Sequence, residues 1–399
     1  MLNKEEIVIS GLGVITPFAS TVDHFWKTLI SNLDTKKQLK DFSNQKVWKI
    51  GDEWKPEELM GKKGIRYMVP SSKYIMGASI LALKNSNLFE NKPEANEIGV
   101  VVGCNFTGME SAIDYDLTTL NKGPKFVSPM QAPNALANSP ASQLGIRFGA
   151  KGSNTTITTG ENAGLDSIGF ALNLLLKNRA NYVISGGVDH IDPSTMWLFK
   201  KSGLIPSEYS SEQGNIYSND SKGIITAEGA GVAVLEKRWT AESRGVDIYA
   251  VVEGWDSRYA PSRKPNSRKY TLQKSISALL QNNQLTNDDI DLIISGANGM
   301  PETDLQEQEA LSELLPEVPI FPIKELIGEA FGANGLLQLV AASGILVNQT
   351  LPSNTVKNDQ KQMVTPAGLV AKQNSTLNRI LLTSQNQSGE ISTVMIRSN

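Results

Sequence analysis

Between Asn154 and Gly169 the chain reads NTTITTGENAGLDSIG, a strand-to-helix elbow of the kind that activates a nucleophile. The run Thr155, Thr156, Ile157, Thr158 breaks at Gly160, and an apolar stripe at helical spacing follows at Leu165, Ile168, Leu172 and Leu175. A helix opening there aims its free N–H groups at the residue in its first turn. A thiol in that place would have its pKa lowered by the helix dipole and become a reactive thiolate. The position holds Glu161. Two roles stay open for it: a carboxylate stabilised by those N–H groups, by up to about 2 kcal/mol, that plugs a pocket, or a plain helix cap.

Few other side chains could supply the missing chemistry. The chain has one cysteine, Cys104, and two histidines, His24 and His190. Cys104 follows the apolar run GVVVG and precedes a turn, which would also suit a nucleophile. Without a suitable histidine it reads as a small core residue. His24, in the first turn of the first helix, and His190, just past the GGVD turn, read as structural or surface residues.

Five segments in order, IVISGLGVITP, IRFGAKGSNTTITT, NYVISGGVDHIDP, GIITAEGAGVAVLE and PIKELIGEAFGANG, make the chain resemble a β-ketoacyl synthase of the thiolase-like condensing-enzyme family from Met1 to Asn399. The resemblance implies an α/β, thiolase-like fold: two similar α/β halves in a layered α-β-α-β-α arrangement, divided here as 1–240 and 241–399. That family carries a Cys at the elbow, a His in an H-G-T motif and a second His in a K-x-x-x-G-H motif. This chain reads GANGMPETD and KELIGEA there, which implies vestigial positions at Glu161, Asn298 and Glu329 and no catalytic residue. Decarboxylative condensation needs a thiol to carry the acyl chain and two neutral imidazoles to donate hydrogen bonds as negative charge develops on thioester oxygens. None of the three replacements supplies either group.

Other positions of the family are retained. Asp304, Glu307 and Lys324 match charged residues that brace its active-site loops, and Glu228 sits in its usual strand context. The late loop, GFGGTN in synthases, is SQNQSGE at 384–390, so its phenylalanine gate is absent, and Gln385 and Gln387 read as ordinary loop residues.

Within the family, GVDHIDPSTMW, GPKFVSP and the short GANGMPETD loop are most similar to the chain-length factor, or ketosynthase beta, of type II polyketide synthases. This non-condensing subunit usually has Gln at the elbow. The resemblance implies a heterodimer with a catalytic ketosynthase, contact with an acyl carrier protein mainly through that partner, and a tunnel for the growing polyketide gated by Met109, Ala112, Ile113 and Asp116. It implies a dimer-facing region at 123–149, and neither cofactor nor metal. Alternative readings are a malonyl-carrier-protein decarboxylase that generates starter units, which the loss of both histidines weighs against, and a pure scaffold subunit.

The elements that must position these residues alternate between strand and helix patterns, which argues for helices packed on sheets. In the first half, strands are expected at 7–11, 98–103, 155–158, 182–185 and 231–236, and helices at 22–33, 72–85, 108–120 and 164–177. In the second, Thr286 with Asp289 starts a helical turn before a strand at 291–295, and Thr303 with Gln306 resembles a capping box opening a helix at 304–315. A helix at 335–346 and a strand at 393–397 follow. The boundary between halves is placed near 237–245, and no internal repeat is visible. Stretches 34–63 and 255–270 read as irregular; the second carries Arg258, Arg263, Lys264, Arg268 and Lys269, either a solvated face or a site for an acidic carrier protein.

Bulk composition bounds the function. With 399 residues, 40% of them hydrophobic, the chain can bury a large core, and 38 basic against 41 acidic residues give no support to nucleic-acid binding. One cysteine excludes an intramolecular disulfide. No apolar run is expected to reach the ~20 residues of a membrane span, and no signal-peptide core precedes the first strand, so the expected location is the cytoplasm.

Overall fold

The computed structural model describes residues 5–31, 34–261, 266–356 and 376–399. Its strands are β1 (Ile7–Ile15), β2 (Lys40–Phe42), β3 (Gln45–Val47), β4 (Ile98–Gly103), β5 (Asn154–Ile157), β6 (Tyr182–Asp189), β7 (Gly229–Lys237), β8 (Ala250–Tyr259), β9 (Leu292–Ile294), β10 (Ile320–Phe321), β11 (Arg379–Gln385) and β12 (Glu390–Arg397). Apart from the β2–β3 hairpin they join one ladder in the order β10-β9-β11-β12-β8-β1-β7-β6-β4-β5.

That order contains a repeat. Read outward from the centre, β1-β7-β6-β4-β5 and β8-β12-β11-β9-β10 have the same connectivity, first strand, fifth, fourth, second, third. Strand directions match too: β1–β7, β6–β7, β8–β12 and β11–β12 are antiparallel, while β4–β6, β4–β5, β9–β11 and β9–β10 are parallel. The two sets meet through a three-residue antiparallel contact, Ile7↔Val252, Val8↔Val251 and Ile9↔Ala250. The thiolase-like α/β arrangement of two similar halves is therefore present, although no sequence repeat announces it.

Helices cover the sheets on both sides. Pro70–Asn85 lies against β1 and β7 with Ser139–Phe148 behind it, and Ser267–Asn283 lies against β8 and β12 with Pro301–Leu314 behind it. Between the halves run Ala163–Leu176 and Asn334–Asn348, each touching strands of both. This double cover explains why all nine residues of β1 and of β7 are buried, so that both are largely apolar without alternation, apart from Ser10 and the Glu236–Lys237 end of β7. The stripe Leu165, Ile168, Leu172 and Leu175 belongs to the central core with Leu336, Leu339 and Val340.

The central helices cross at bare backbone. A Cβ added to Gly335 would stand 2.2 Å from the Leu165 nitrogen, and one on Gly164 would stand 2.8 Å from the Gly335 nitrogen. Only glycine allows this approach, and it brings both helix starts to the same place.

Several expectations need correction. Among the described residues the stretch 255–270 is not irregular throughout: β8 runs through Tyr259, and a helix begins at Ser267. The helix expected to open at Asp304 on a Thr303–Gln306 capping box begins at Pro301 after Met300, and Thr303 lies inside it, its hydroxyl donating to the Met300 carbonyl. Proline needs no N–H partner and started the helix earlier than the box. Finally, Phe331–Asn348 is apolar enough over 18 residues to cross a membrane, yet 89% of it is buried inside the protein. It includes the second central helix.

Candidate active site

The elbow forms where β5 ends. Gly160 takes a left-handed φ of 60°, a tight turn Gly160–Asn162 follows, and the central helix starts at Ala163. Glu161 is only 8% exposed. Its side chain caps nothing, and no other described residue donates a hydrogen bond to its carboxyl group. Burial, reinforced by the negative charge of Glu329, pushes that carboxyl up to about 7 against the pull of its own backbone N–H. Of the two roles left open, neither a plain cap nor a carboxylate stabilised by the helix start fits: desolvation outweighs the dipole.

Glu329 has the opposite environment. Its Oε2 accepts from Asn298 Nδ2 and Lys324 Nζ, both at 2.8 Å, and its Oε1 accepts from the Phe331 N–H at 2.8 Å and from Asn334 Nδ2. Four donors fill the acceptor sites of one carboxylate. Lys324 Nζ also donates to the Gly296 carbonyl, 2.9 Å, and Met300 N–H donates to Asn298 Oδ1. The side chains of Asn298 and Glu329 are therefore bonded directly to each other, and the buried Lys324 holds Glu329 as well.

Asp304 and Glu307 hold the strand-to-helix loop that carries Asn298. Asp304 accepts from the N–H groups of Asn298 and Gly299, at 3.0 and 2.8 Å, while burial pushes its carboxyl up to about 7. Glu307 accepts from Ser295, Tyr217, Thr383 and the Gly296 N–H. Glu228 is a third buried acceptor, taking Lys49, Tyr74 and the N–H groups of Ile50 and Ile191.

A cavity of about 450 Å³ opens onto the elbow, lined by Glu161, Glu390, Asn105, Asn386 and Gln387 and by an aromatic wall. In that wall Phe106, Phe199 and Phe331 pack with ring centroids 4.7 to 5.1 Å apart. The late loop is thus more than a connection. Asn386, Gln387, Ser388 and Glu390 form one side of the cavity, whereas Gln385 ends β11, buried, with its amide donating to the Thr303 carbonyl. Reading both glutamines as ordinary loop residues missed this, because the loop's backbone is placed by a side chain far away in sequence. Arg268, nearly buried, donates to the carbonyls of Asn386 and Gln387.

Cys104 sits in the core. It is fully buried, donates to the Ala137 carbonyl at 3.2 Å, and burial pushes its thiol up to about 12. His24 is exposed, and His190 is buried with its Nε2 3.5 Å from Glu110 Oε2. Neither approaches Glu161 by any described contact. Among the described residues no group of three or more His, Cys, Asp or Glu is arranged to hold a metal ion.

The remaining candidates lie elsewhere. Met109, Ala112, Ile113 and Asp116 sit on the helix Met109–Lys122, which has no buried residue; the first three are half-buried and Asp116 is exposed. None of them lines the elbow cavity. That helix carries the exposed Leu117 and Leu120, and the following segment exposes Phe126, Met130, Leu136 and Ile146, the last at 83%. The segment leads by packing contacts to β5, the outermost strand of its half. Of the expected basic cluster, Arg263 and Lys264 lie outside the described residues. Arg258 pairs with Asp256, Lys269 with Glu309 and Glu313, and Arg268 is turned inward, so these three present no free basic face.

Comparison with known proteins agrees with this fold. Residues 4–241 match the β-ketoacyl synthase N-terminal domain and residues 249–358 the corresponding C-terminal domain. A 3-oxoacyl-[acyl-carrier-protein] synthase 2 of Vibrio cholerae serotype O1 is 26% identical over 88% of each chain. Among solved structures, the ishigamide ketosynthase/chain length factor superposes with a TM-score of 0.83 at 19% identity, over 99% of this chain and 100% of that one. A type II PKS acyl-carrier protein in complex with its ketosynthase bound to the hexaketide does so with a TM-score of 0.79 at 20% identity, again over 99% and 100%.

Proposed function

The chain belongs to the β-ketoacyl synthase family, and on that premise we propose that it is a non-condensing chain-length factor, which pairs with a catalytic ketosynthase and helps to shape the tunnel that limits polyketide length. The observation that carries this reading is the filled-in site. Glu161 replaces the thiol, and Asn298 and Glu329, where the family has imidazoles, are bound to each other, with Glu329 also held by Lys324. A scaffold that keeps Asp304, Glu307 and Lys324 in buried networks while losing all three reactive groups retains its shape for an assembly, not for its own turnover.

The exposed apolar surface supports a partner. Leu117, Leu120, Phe126, Met130, Leu136 and Ile146 make an uncovered series beside the open edge of β5, and exposed apolar area of this kind marks protein contacts. The helix carrying Met109, Ala112 and Ile113 belongs to the same surface, so a tunnel gated by it would be completed only when the partner covers that face. The decarboxylase reading fares worse: a malonyl carboxylate would enter a cavity lined by Glu161 and Glu390 without a basic side chain among its lining.

Co-expression with a ketosynthase that retains its Cys and two His, followed by mass measurement of the intact complex, tests the proposal. A one-to-one complex whose product length changes with this subunit is expected. A stable monomer with no affinity for such a ketosynthase, or condensation by this chain alone, would refute it.

A further inference from the structure

The cavity at the elbow is lined by two carboxyl groups and by no basic side chain, a charge suited to a cationic ligand. Glu161 is more than nine-tenths buried, lines the cavity, and receives no hydrogen bond from another described residue, while the other buried carboxylates of the site have several donors each. The groups that act on its charge are Glu329, Glu390, Lys324 and Arg268. With Glu161 ionised these are three carboxylates against two cations, one positive charge short. Both cations are committed elsewhere: Lys324 to Glu329 and the Gly296 carbonyl, Arg268 to the carbonyls of the late loop. Neither lines the cavity.

The same cavity is lined by Phe106, Phe199 and Phe331, two of whose rings are stacked at 4.7 Å with the third edge-on to both. Such a lining offers an apolar surface to the body of a ligand. At about 450 Å³ the space lies within the range of small-molecule sites. We infer that this cavity binds a small organic cation, an ammonium or guanidinium on an aromatic or short aliphatic body, with its charge on Glu161 and its body against the three phenylalanines. The inference goes beyond the proposed pairing and does not depend on it, because every group it uses belongs to this chain.

Benzylguanidinium is a fitting probe. Its charge does not titrate in the working range, its fork can bind a carboxylate through two hydrogen bonds, and benzylurea is its neutral shape-mate. Calorimetric titration of the full-length protein, alone or with its partner subunit, should give saturable binding of benzylguanidinium and at least tenfold weaker binding of benzylurea. Because the free carboxyl sits at about 7, affinity should rise about tenfold from pH 6 to pH 8, with about half a proton released per ligand at pH 7. Glu161→Gln should abolish the preference for the cation and flatten the pH dependence. A readout without a variant is thermal unfolding of the unaltered protein, which benzylguanidinium should delay more at pH 8 than at pH 6. Absence of saturable binding, equal binding of benzylurea, or cation binding unchanged in Glu161→Gln would overturn the inference. Failure to pair with a ketosynthase would leave it standing.

Discussion

Replacing Glu161 by glutamine should stabilise the fold, by an amount that grows with pH. The carboxyl is ordinary, near 4.5, in the unfolded chain and is pushed up to about 7 in the native site by burial and by Glu329. Below pH 4.5 both states hold the proton and the group is neutral in its effect. Between 4.5 and 7 the unfolded state releases the proton while the folded state keeps it, so stability falls as pH rises. Above 7 both are ionised and the loss is complete. At about 1.4 kcal/mol per tenfold change in proton affinity, the penalty is about 1 kcal/mol at pH 5 and roughly 3 kcal/mol at pH 8. Glutamine keeps the shape of the protonated acid and never carries the charge. Urea unfolding of the purified protein and of Glu161→Gln at both pH values isolates the effect, since an exchange of hydroxyl for amide contributes equally at each. The expected result is an advantage of the variant roughly 2 kcal/mol larger at pH 8 than at pH 5. If the difference between the two proteins were independent of pH, or favoured the unaltered chain at pH 8, the assignment of Glu161 as a buried, unpaired acid would be wrong.

Four further outcomes are expected. Glu161→Cys should not yield a condensing enzyme, because Asn298 and Glu329 still lack imidazoles; carrier-dependent condensation by the isolated variant would contradict the reading of the site. Lys324→Met leaves Glu329 buried without its cation and should cost about 3–5 kcal/mol in denaturant unfolding, most of it recovered when Glu329→Gln is added. Gly335→Ala should lower the melting temperature by forcing apart the two central helices, and a variant as stable as the parent would show that the crossing at Gly164 is not close. In an assembled complex, Ala112→Trp or Ile113→Trp should shorten the product by filling the tunnel, at a strain of ~1–3 kcal/mol; an active complex with an unchanged product would place the gate elsewhere.

The elbow was legible in the sequence because its signals are local: a β-branched run, a glycine at the break and an apolar stripe at helical spacing. The same holds for the missing chemistry. The absence of a cysteine at 161 and of histidines at 298 and 329 is a matter of residue type, and the structure adds that Asn298 and Glu329 occupy one network. Strand β8 and the helix from Ser267 escaped notice because charged and polar residues on exposed faces mask the pattern. Strand β8 is buried only over its first three residues, and the helix has just six buried positions.

Tertiary structure alone decided the state of Glu161 and the nature of the cavity beside it. A glutamate after a glycine at a helix start looks like an ionised cap, since helix dipoles act within one turn and can be read along the chain. Its carboxyl is instead governed by burial and by Glu329, Lys324, Glu390 and Arg268, which come from three other places in the sequence. The internal repeat was hidden for the same reason. It resides in which strands lie side by side, a property of long-range pairing that the two halves share while their residues differ.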